Sequence, residues 1–225
     1  MIGVLGAIEG EIRFEIRKRV LGFKVPDAPH MDPDGLAMFE TSLRGAGTYL
    51  EYGAGGSTVM AARMGKTGFS IEGDRHYCRD VRRKLAGQRH NIELTYADIG
   101  PTKMWGHLRR TRQTPKSVEA WKRYVRLPFE RLNGSFYDLV LVDGRFRVAC
   151  ALHAIAEAGK RGASFRLLLD DYDEPEDQRP HYKVVESYVP LARMAGRMAV
   201  FDVSPATLIR IPDEAALDAA VLDSR

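Results

Sequence analysis

Residues 48–58 constrain the fold of this chain more than any other stretch. They begin with the aromatic strand formers Tyr49 and Tyr52 and run directly into a Gly-Ala-Gly-Gly turn. Ser57 and Thr58 follow as helix-capping residues, and the small apolar residues after them recur at helical spacing. Glycine allows the backbone to turn sharply or approach a ligand closely, and a helix N-terminus presents free N–H groups. The stretch therefore predicts a strand, a tight turn and a helix of the nucleotide-binding kind.

The next predicted strand begins at Gly68 and ends in an acid, Glu72. A carboxylate at the end of that strand can accept hydrogen bonds from both hydroxyls of a ribose, as in dinucleotide sites. The third glycine of the dinucleotide pattern is missing, because Thr58 occupies its position. This departure disfavours a nicotinamide or flavin cofactor.

Three further strands are predicted, and each ends in an acid. Residues 91–98 alternate as a third strand ending in Asp98, and residues 136–144 form the near-continuous apolar run of a central buried strand. Residues 165–169 form the fifth strand, which ends in an Asp-Asp pair. Helical patterns separate the strands, which predicts an open, doubly wound sheet that binds ligands beyond the carboxyl ends of its strands.

Asp34 is a candidate cap for a helix before the first strand. Residues 182–194 are predicted to form a helix broken or kinked at Pro190, and residues 198–203 and 207–211 are a candidate antiparallel pair that closes the sheet.

Four of these segments together resemble class I S-adenosylmethionine-dependent methyltransferases. Residues 50–58 resemble the first motif of that family, 71–72 the second, 97–98 the third and 138–143 the fourth. The resemblance spans residues 31–212, with Ser57 in place of the family's usual third glycine. It implies an α/β, Rossmann-like three-layer sandwich with a seven-stranded, mostly parallel sheet and an antiparallel last strand. It also implies methyl transfer from S-adenosyl-L-methionine.

The resemblance assigns cofactor roles position by position. The glycine turn would approach the amino-acid end of the cofactor, and Glu51 would orient that turn or the cofactor's amino group. Glu72 would hold the ribose hydroxyls, and Asp98 with Ile99 would face the adenine. The alternative for Glu72 and Asp98 is an ordinary strand-end carboxylate that caps the next helix. The implied cofactor-binding residues are Glu51, Gly53, Ala54, Gly55, Ser57, Thr58, Glu72, Gly73, Asp98, Ile99 and Asp143.

The methyl-acceptor side is predicted from the ends of the fourth and fifth strands. Asp143, Asp170 and Asp171 would meet there, and such a cluster repels itself unless a proton or a divalent cation neutralises it. It resembles the metal site of catechol-type O-methyltransferases, in which the last residue is usually asparagine. A divalent metal is left open but not favoured, because the Asp pair can instead begin a turn. Asp143, Asp171 and Tyr172 are the candidate catalytic residues, with His181 as an alternative general base.

Two other regions carry open alternatives. Residues 1–28 are predicted to form a helical preface, and Met31 after it is either a lid over the cofactor or a core residue. Residues 100–134 are predicted to include a basic, aromatic insertion. Its apolar stripe of Trp121, Val125 and Phe129 can pack a helix onto the domain, while residues 103–131 can bind an anionic substrate or, as a less favoured partner, nucleic acid.

Composition limits the remaining choices. The 225 residues suit one domain spanning 1–225, with 44% hydrophobic and 28% charged residues. The sequence has no long apolar run and only two cysteines, which we expect to be reduced thiols in a cytoplasmic protein that does not enter a membrane. The expected function is methyl transfer to a small or anionic acceptor. The alternatives are an NAD-dependent oxidoreductase and a non-catalytic or nucleic-acid-associated module; a homodimer is left open.

Overall fold

Seven strands form one sheet in the computed structural model, which describes residues 16–173 and 179–223 apart from the side chains of Arg17 and Trp105. The order across the sheet is β3-β2-β1-β4-β5-β7-β6. The first five strands are parallel, whereas β7 runs antiparallel to β5 and β6 antiparallel to β7. This confirms the predicted Rossmann-like sheet with antiparallel final strands. The strands are β1 (Thr48–Tyr52), β2 (Thr67–Glu72), β3 (Asn91–Tyr96), β4 (Leu139–Val142), β5 (Phe165–Leu169), β6 (Arg193–Ala195) and β7 (Met198–Val203).

Within the described residues, six α-helices cover the sheet: α1 (Pro33–Gly45), α2 (Gly56–Arg63), α3 (Arg75–Leu85), α4 (Pro115–Glu130), α5 (Arg147–Arg161) and α6 (Glu214–Leu222). A short π-helix spans Arg17–Leu21, and 3₁₀-helices span Met104–Gly106 and Pro180–Ser187. Asp32 caps α1 by accepting hydrogen bonds from the N–H groups of Asp34 and Gly35. The sequence pattern suggested Asp34 as this cap, but Asp34 lies in the first turn of the helix.

Both faces of the sheet are buried, which produces the three layers. Val140 and Val142 of β4 face a core formed with α4, α5 and α6. Leu139 and Leu141 of the same strand face a second core formed with α1, α2 and α3. Because successive side chains of a strand point to opposite faces, an apolar residue at every position of β4 fits a central strand covered on both sides.

The apolar stripe of the region between β3 and β4 belongs to the first core. Trp121, Val125 and Phe129 of α4 are all buried. The indole N–H of Trp121 donates to the Ile99 carbonyl at 3.0 Å, which ties the helix to the chain just beyond β3. For this stripe the structure supports the packing interpretation.

Two sequence-based expectations near the C-terminus are wrong. The helix expected over residues 182–194, broken or kinked at Pro190, is instead a 3₁₀-helix ending at Ser187, and β6 begins at Arg193. The break at Pro190 was expected, because proline cannot continue a helix. The antiparallel pair is β6 with β7, not 198–203 with 207–211. A two-residue turn joins them, in which Gly196 has a φ of 56°. Thr207 instead holds a turn, in which its hydroxyl donates to the Asp202 carbonyl at 2.8 Å.

The described part of the N-terminal segment packs against the carboxyl edge of the sheet. Residues 1–15 of the expected helical preface lie outside the described residues, and within 16–28 the helical residues are Ile16 and the short π-helix that follows it. The buried Lys18 places its Nζ 2.5 Å from Asp74 Oδ2 and 2.9 Å from Thr102 Oγ1. Met31 packs against the second core, as expected of a core residue. Among the described helices, none is long and apolar enough to cross a membrane.

Candidate functional site

The glycine turn after β1 lies directly against the end of β4. Gly53 has a φ of 94°, and a Cβ atom built on it would lie 2.7 Å from the Asp143 carbonyl oxygen. Its N–H donates to the Ile71 carbonyl of β2 at 2.9 Å. Only glycine combines this conformation with so close an approach. The turn therefore brings together the carboxyl ends of β2, β1 and β4.

Glu51 holds the glycine turn from beneath. Its fully buried carboxylate accepts hydrogen bonds from the hydroxyls of Ser57, Thr58 (2.6 Å) and Ser70 (2.6 Å). Burial raises the pKa of Glu51, and the three hydroxyl donors partly oppose that rise. The structure thus gives Glu51 contacts that orient the turn and the start of α2. The predicted contact with a cofactor amino group stays a prediction.

Glu72 bridges the ends of β1 and β2. One of its carboxylate oxygens accepts the Ala54 N–H at 3.1 Å, and the other accepts the Asp74 N–H at 2.6 Å. Burial raises the pKa of Glu72 to about 8, and the charges of Asp74 and Glu51 add to the rise. Glu72 does not cap the following helix, because Asp74 does so by accepting the N–H groups of His76 at 2.8 Å and Tyr77 at 3.0 Å. The capping alternative for Glu72 is therefore wrong.

Asp98 and Ile99 point in different directions. The Asp98 side chain is exposed and accepts the Gly100 N–H at 2.9 Å, which is a local turn contact. Ile99 is buried, and a Cβ atom built on Gly73 would lie 2.5 Å from its Cδ1. Gly73 and Ile99 therefore lie together near Glu72, whereas Asp98 lies at the surface. Their predicted adenine contacts stay predictions.

The three predicted aspartates do meet at the ends of β4 and β5. One carboxylate oxygen from each of Asp143, Asp170 and Asp171 lies within 4.8 Å of the others. Arg147, which the sequence reasoning missed, lies among them. Its Nη2 is 2.9 Å from Asp143 Oδ1 and 3.0 Å from Asp171 Oδ2, and its Nη1 donates to the Asp170 carbonyl. We call these four residues the aspartate–arginine cluster.

The charges of this cluster are unevenly shared. Burial acts to raise the pKa of Asp171, but Arg147, Arg179 and Arg197 together lower it. Burial and neighbouring carboxylates raise the pKa values of Asp143 and Asp170. Asp170 Oδ1 is buried with no hydrogen-bond partner within the described part of the chain. Asp171 is therefore the ionised member of the cluster over the widest pH range.

One member of the cluster, Asp171, and one residue beside it, Phe146, adopt left-handed backbone conformations. Phe146, immediately before α5, has a φ of 56°, and Asp171, in the turn after β5, has a φ of 52°. Aspartate tolerates this conformation, but a bulky residue such as phenylalanine adopts it at a cost. Such strain persists where the surrounding packing enforces it, and the Phe146 ring packs 5.3 Å from the Trp121 ring.

Of the remaining acceptor-side candidates, Tyr172 lies in the first core and His181 contacts Tyr182 of that core. Tyr172 is buried, its ring lies 6.0 Å from that of Phe201, and its hydroxyl donates to Glu186. Burial raises its pKa, and Glu186 adds to the rise. His181 stacks edge-on against Tyr182 with 4.6 Å between ring centroids. The catalytic roles of Asp143, Asp171 and Tyr172, and that of His181 as a base, stay predictions.

Comparison with known proteins identifies the class to which this fold and site belong. The chain is similar to a methyltransferase-like protein from Silicibacter pomeroyi DSS-3, with 30% identity over 89% of this chain and 100% of that chain and a TM-score of 0.72. The chain therefore belongs to the class I methyltransferase-like family, which confirms the resemblance. No protein-family model matches it, and no curated protein does.

Two further structures are more distant. An O-methyltransferase from Bacillus cereus in complex with SAH has 12% identity over 84% of this chain and 96% of that chain, with a TM-score of 0.47. The O-methyltransferase TomG from Streptomyces achromogenes in complex with SAM has 18% identity over 79% and 81%, with a TM-score of 0.44. The family assignment rests on the Silicibacter protein.

Proposed function

We propose that the protein transfers a methyl group from S-adenosyl-L-methionine to a small or anionic acceptor. The observation that carries the proposal is the Glu72 carboxylate. It is buried at the ends of β1 and β2, next to the glycine turn, and holds the N–H groups of Ala54 and Asp74. Each oxygen has one backbone donor, and an oxygen of a carboxylate can accept a second hydrogen bond. This pair of acceptor oxygens fits the two hydroxyls of a ribose.

The chain's own residues would bind and position the cofactor and the acceptor rather than activate the methyl group. A bound S-adenosylmethionine supplies a reactive sulfonium methyl, so alignment and exclusion of water are the main tasks left to the protein. Glu51 fixes the glycine turn, the backbone of that turn would contact the amino-acid end of the cofactor, and Glu72 would hold the ribose. The aspartate–arginine cluster lies past Gly53 at the end of β4, where the acceptor would approach.

An anionic acceptor is favoured by Arg145. This residue follows the end of β4, and its Nη1 lies 2.8 Å from His107 Nδ1. Within the described part of the chain it forms no ion pair with a carboxylate, unlike Arg147, and burial lowers its pKa. A partly buried guanidinium without a carboxylate partner gains from a bound carboxylate or phosphate.

Calorimetric titration with S-adenosylmethionine and S-adenosylhomocysteine tests the cofactor, with NAD as the control ligand. We expect both sulfur nucleosides to bind at micromolar affinity and NAD not to bind. Glu72→Ala should weaken binding about tenfold, since it removes both acceptors of the ribose hydroxyls, each hydrogen bond being worth about 0.5–1.5 kcal/mol. Glu93→Ala is the matched control, because Glu93 is an exposed carboxylate on the adjacent strand β3.

The outcomes separate the claims. Wild-type affinity in folded Glu72→Ala would remove Glu72 from the cofactor site. Absence of binding to either nucleoside by the folded wild-type protein would refute the proposed function, and binding of NAD alone would favour the oxidoreductase.

A further inference from the structure

We propose that Arg147 is the built-in cation of the aspartate–arginine cluster and that its guanidinium excludes a divalent metal ion from the three carboxylates. Asp143, Asp170 and Asp171 offer an oxygen set that a hard divalent cation would use. Arg147 already contacts all three of these residues. The inference concerns ion binding only and stands whether or not the proposed function holds.

Every nitrogen of the Arg147 guanidinium is engaged at this site. Nη2 lies between Asp143 and Asp171 at 2.9 and 3.0 Å, Nη1 donates to the Asp170 carbonyl, and Nε donates to the Gly144 carbonyl at 3.2 Å. The side chain is 6% exposed. Burial and the surrounding contacts therefore hold this planar group in one orientation, and an arginine is not deprotonated in a protein.

Arg147 is also anchored by its place in the sequence. It is the first residue of α5, four residues after Asp143, and Phe146 before it is held in a left-handed conformation by its packing. The carbonyl contacts to Gly144 and Asp170 come from the two loops that carry the aspartates. Moving the guanidinium out of the cluster would therefore disturb both loops.

Two further arginines, Arg179 and Arg197, also neutralise the charge of Asp171, so it requires no metal ion as a counter-ion. Arg179 Nη1 lies 3.3 Å from its Oδ2, and Arg197 Nη1 lies 3.5 Å from its Oδ1. Mg²⁺ requires close oxygen ligands in near-octahedral geometry. To provide them, Asp143 and Asp171 would have to release Arg147, and an unpaired buried charge is strongly unfavourable.

The one unpartnered ligand atom has a different explanation. Asp170 Oδ1 is buried without a hydrogen-bond partner among the described residues. Burial and the neighbouring Asp143 carboxylate raise the pKa of Asp170, which favours the protonated form.

Titration with Mn²⁺ and with Mg²⁺, without cofactor or acceptor, tests the inference. We expect the wild-type protein to show no 1:1 binding at millimolar ion concentrations and no change of Tm when EDTA is added. Arg147→Met should lower the Tm and acquire a single Mn²⁺ site that raises the Tm again. Arg161→Met is the control, because Arg161 ends the same helix and pairs with Glu157 far from the cluster.

Either of two results would overturn the inference. One is a single Mn²⁺ site in the wild-type protein that Asp171→Asn abolishes. The other is a folded Arg147→Met variant with unchanged Tm and no gain of ion binding. If Arg147→Met does not fold, Arg147→Lys retains a cation, and the wild-type titration still decides the question.

Discussion

The two halves of the carboxyl edge of the sheet bury acids in opposite ways. At the ends of β1 and β2, Glu51 and Glu72 are surrounded by neutral donors, namely three hydroxyls and two backbone N–H groups. At the ends of β4 and β5, Asp143 and Asp171 are bound to the guanidinium of Arg147. In the first half, the two buried glutamates therefore have no positively charged partner, whereas in the second half the aspartates have Arg147 as their counter-ion.

This difference predicts what each half can still bind. The neutral donors do not offset the effect of burial, so the pKa of Glu72 is raised to about 8. A ligand that donates hydrogen bonds to Glu72 would therefore stabilise its carboxylate. In the second half the pKa of Asp171 is lowered despite burial, because three arginines surround it. We infer that the first half is adapted to a hydroxyl-bearing ligand and that the second is a fixed wall of the acceptor site.

The largest effect on stability is expected from Arg147→Met. Removing the guanidinium leaves Asp143 and Asp171 buried without their counter-ion, and breaking a buried pair costs about 3–5 kcal/mol. Urea unfolding of the two proteins at the same pH measures the loss. A change below about 1 kcal/mol, the value typical of exposed ion pairs, would contradict the picture of a locked cluster.

A double variant sharpens this prediction. Adding Asp171→Asn to Arg147→Met removes one of the carboxylates that the first change leaves unpaired. We expect the double variant to be more stable than the sum of the single losses predicts, since the two residues are in contact. Strict additivity would place the stabilising partner of Arg147 elsewhere.

A smaller loss is expected from Glu51→Gln. The substitution keeps the shape but turns one oxygen into an N–H₂ group that faces hydroxyls now donating to it. We expect a loss of about 1–3 kcal/mol, typical of an unsatisfied buried polar group. Glu93→Gln is the control, because Glu93 is exposed on β3 and its ion pair with Arg131 is exposed too, so the change in stability should stay below about 1 kcal/mol. Loss of cofactor affinity without loss of stability would instead favour a direct contact between Glu51 and the ligand.

The pH dependence of the unfolding free energy tests whether the pKa of Glu72 is raised in the folded protein. Its pKa in the folded state is raised to about 8 from an ordinary value of 4.5, so the folded protein binds the proton more tightly than the unfolded chain. The contribution of Glu72 is therefore complete below pH 4.5, declines as pH rises and is lost above pH 8. Within that window the slope is at most about 1.4 kcal/mol per pH unit.

Glu72→Gln removes that titration. Unfolding free energies of wild type and variant can be compared at about pH 5, 6.5 and 8, which sample the window between the two pKa values. As the pH rises, the difference should shift steadily in favour of the variant. A difference that does not vary with pH would mean that Glu72 is ionised throughout. Asp98→Asn is a control, because the Asp98 side chain is exposed.

The sequence predicted the first half of the edge well and the second half incompletely. The glycine turn, Glu51 and Glu72 lie within a few residues of one another or at the ends of adjacent strands, and a local pattern therefore shows them. The meeting of Asp143 with Asp170 and Asp171 was also predictable, because parallel strands end at one edge. Their counter-ion was not predicted, because Arg147 is indistinguishable from the many exposed basic residues at helix ends. Its spacing of four residues from Asp143 was the only available signal.

Elements with weak local signals were also predicted poorly. The strand β6 has three residues, too few for an alternating pattern, and the preceding segment has helical apolar spacing. The Gly-Arg turn at residues 196–197 was the better indicator, because a two-residue turn containing glycine favours a hairpin. Asp34 was mistaken for the α1 cap because Asp32, two residues earlier, has the same chemistry and only the backbone conformation distinguishes them.

The smallest effect is expected from Tyr172→Phe, which tests whether this candidate catalytic residue acts in chemistry or in packing. Its hydroxyl donates to Glu186, and its ring packs on Phe201 in the first core. Removing one such hydrogen bond should cost about 0.5–1.5 kcal/mol and leave affinity for S-adenosylhomocysteine unchanged.

Tyr137→Phe is the matched control for this change, because its hydroxyl donates to the Pro128 carbonyl at 3.0 Å, at the opposite end of β4 from the cluster. Equal stability losses in the two variants, with equal methyl transfer once an acceptor is found, would assign Tyr172 to packing. A loss of transfer confined to Tyr172→Phe, at unchanged stability, would make its hydroxyl catalytic as the sequence predicted. It would also extend the chemistry of the acceptor site beyond the aspartate–arginine cluster, along the turn that follows β5.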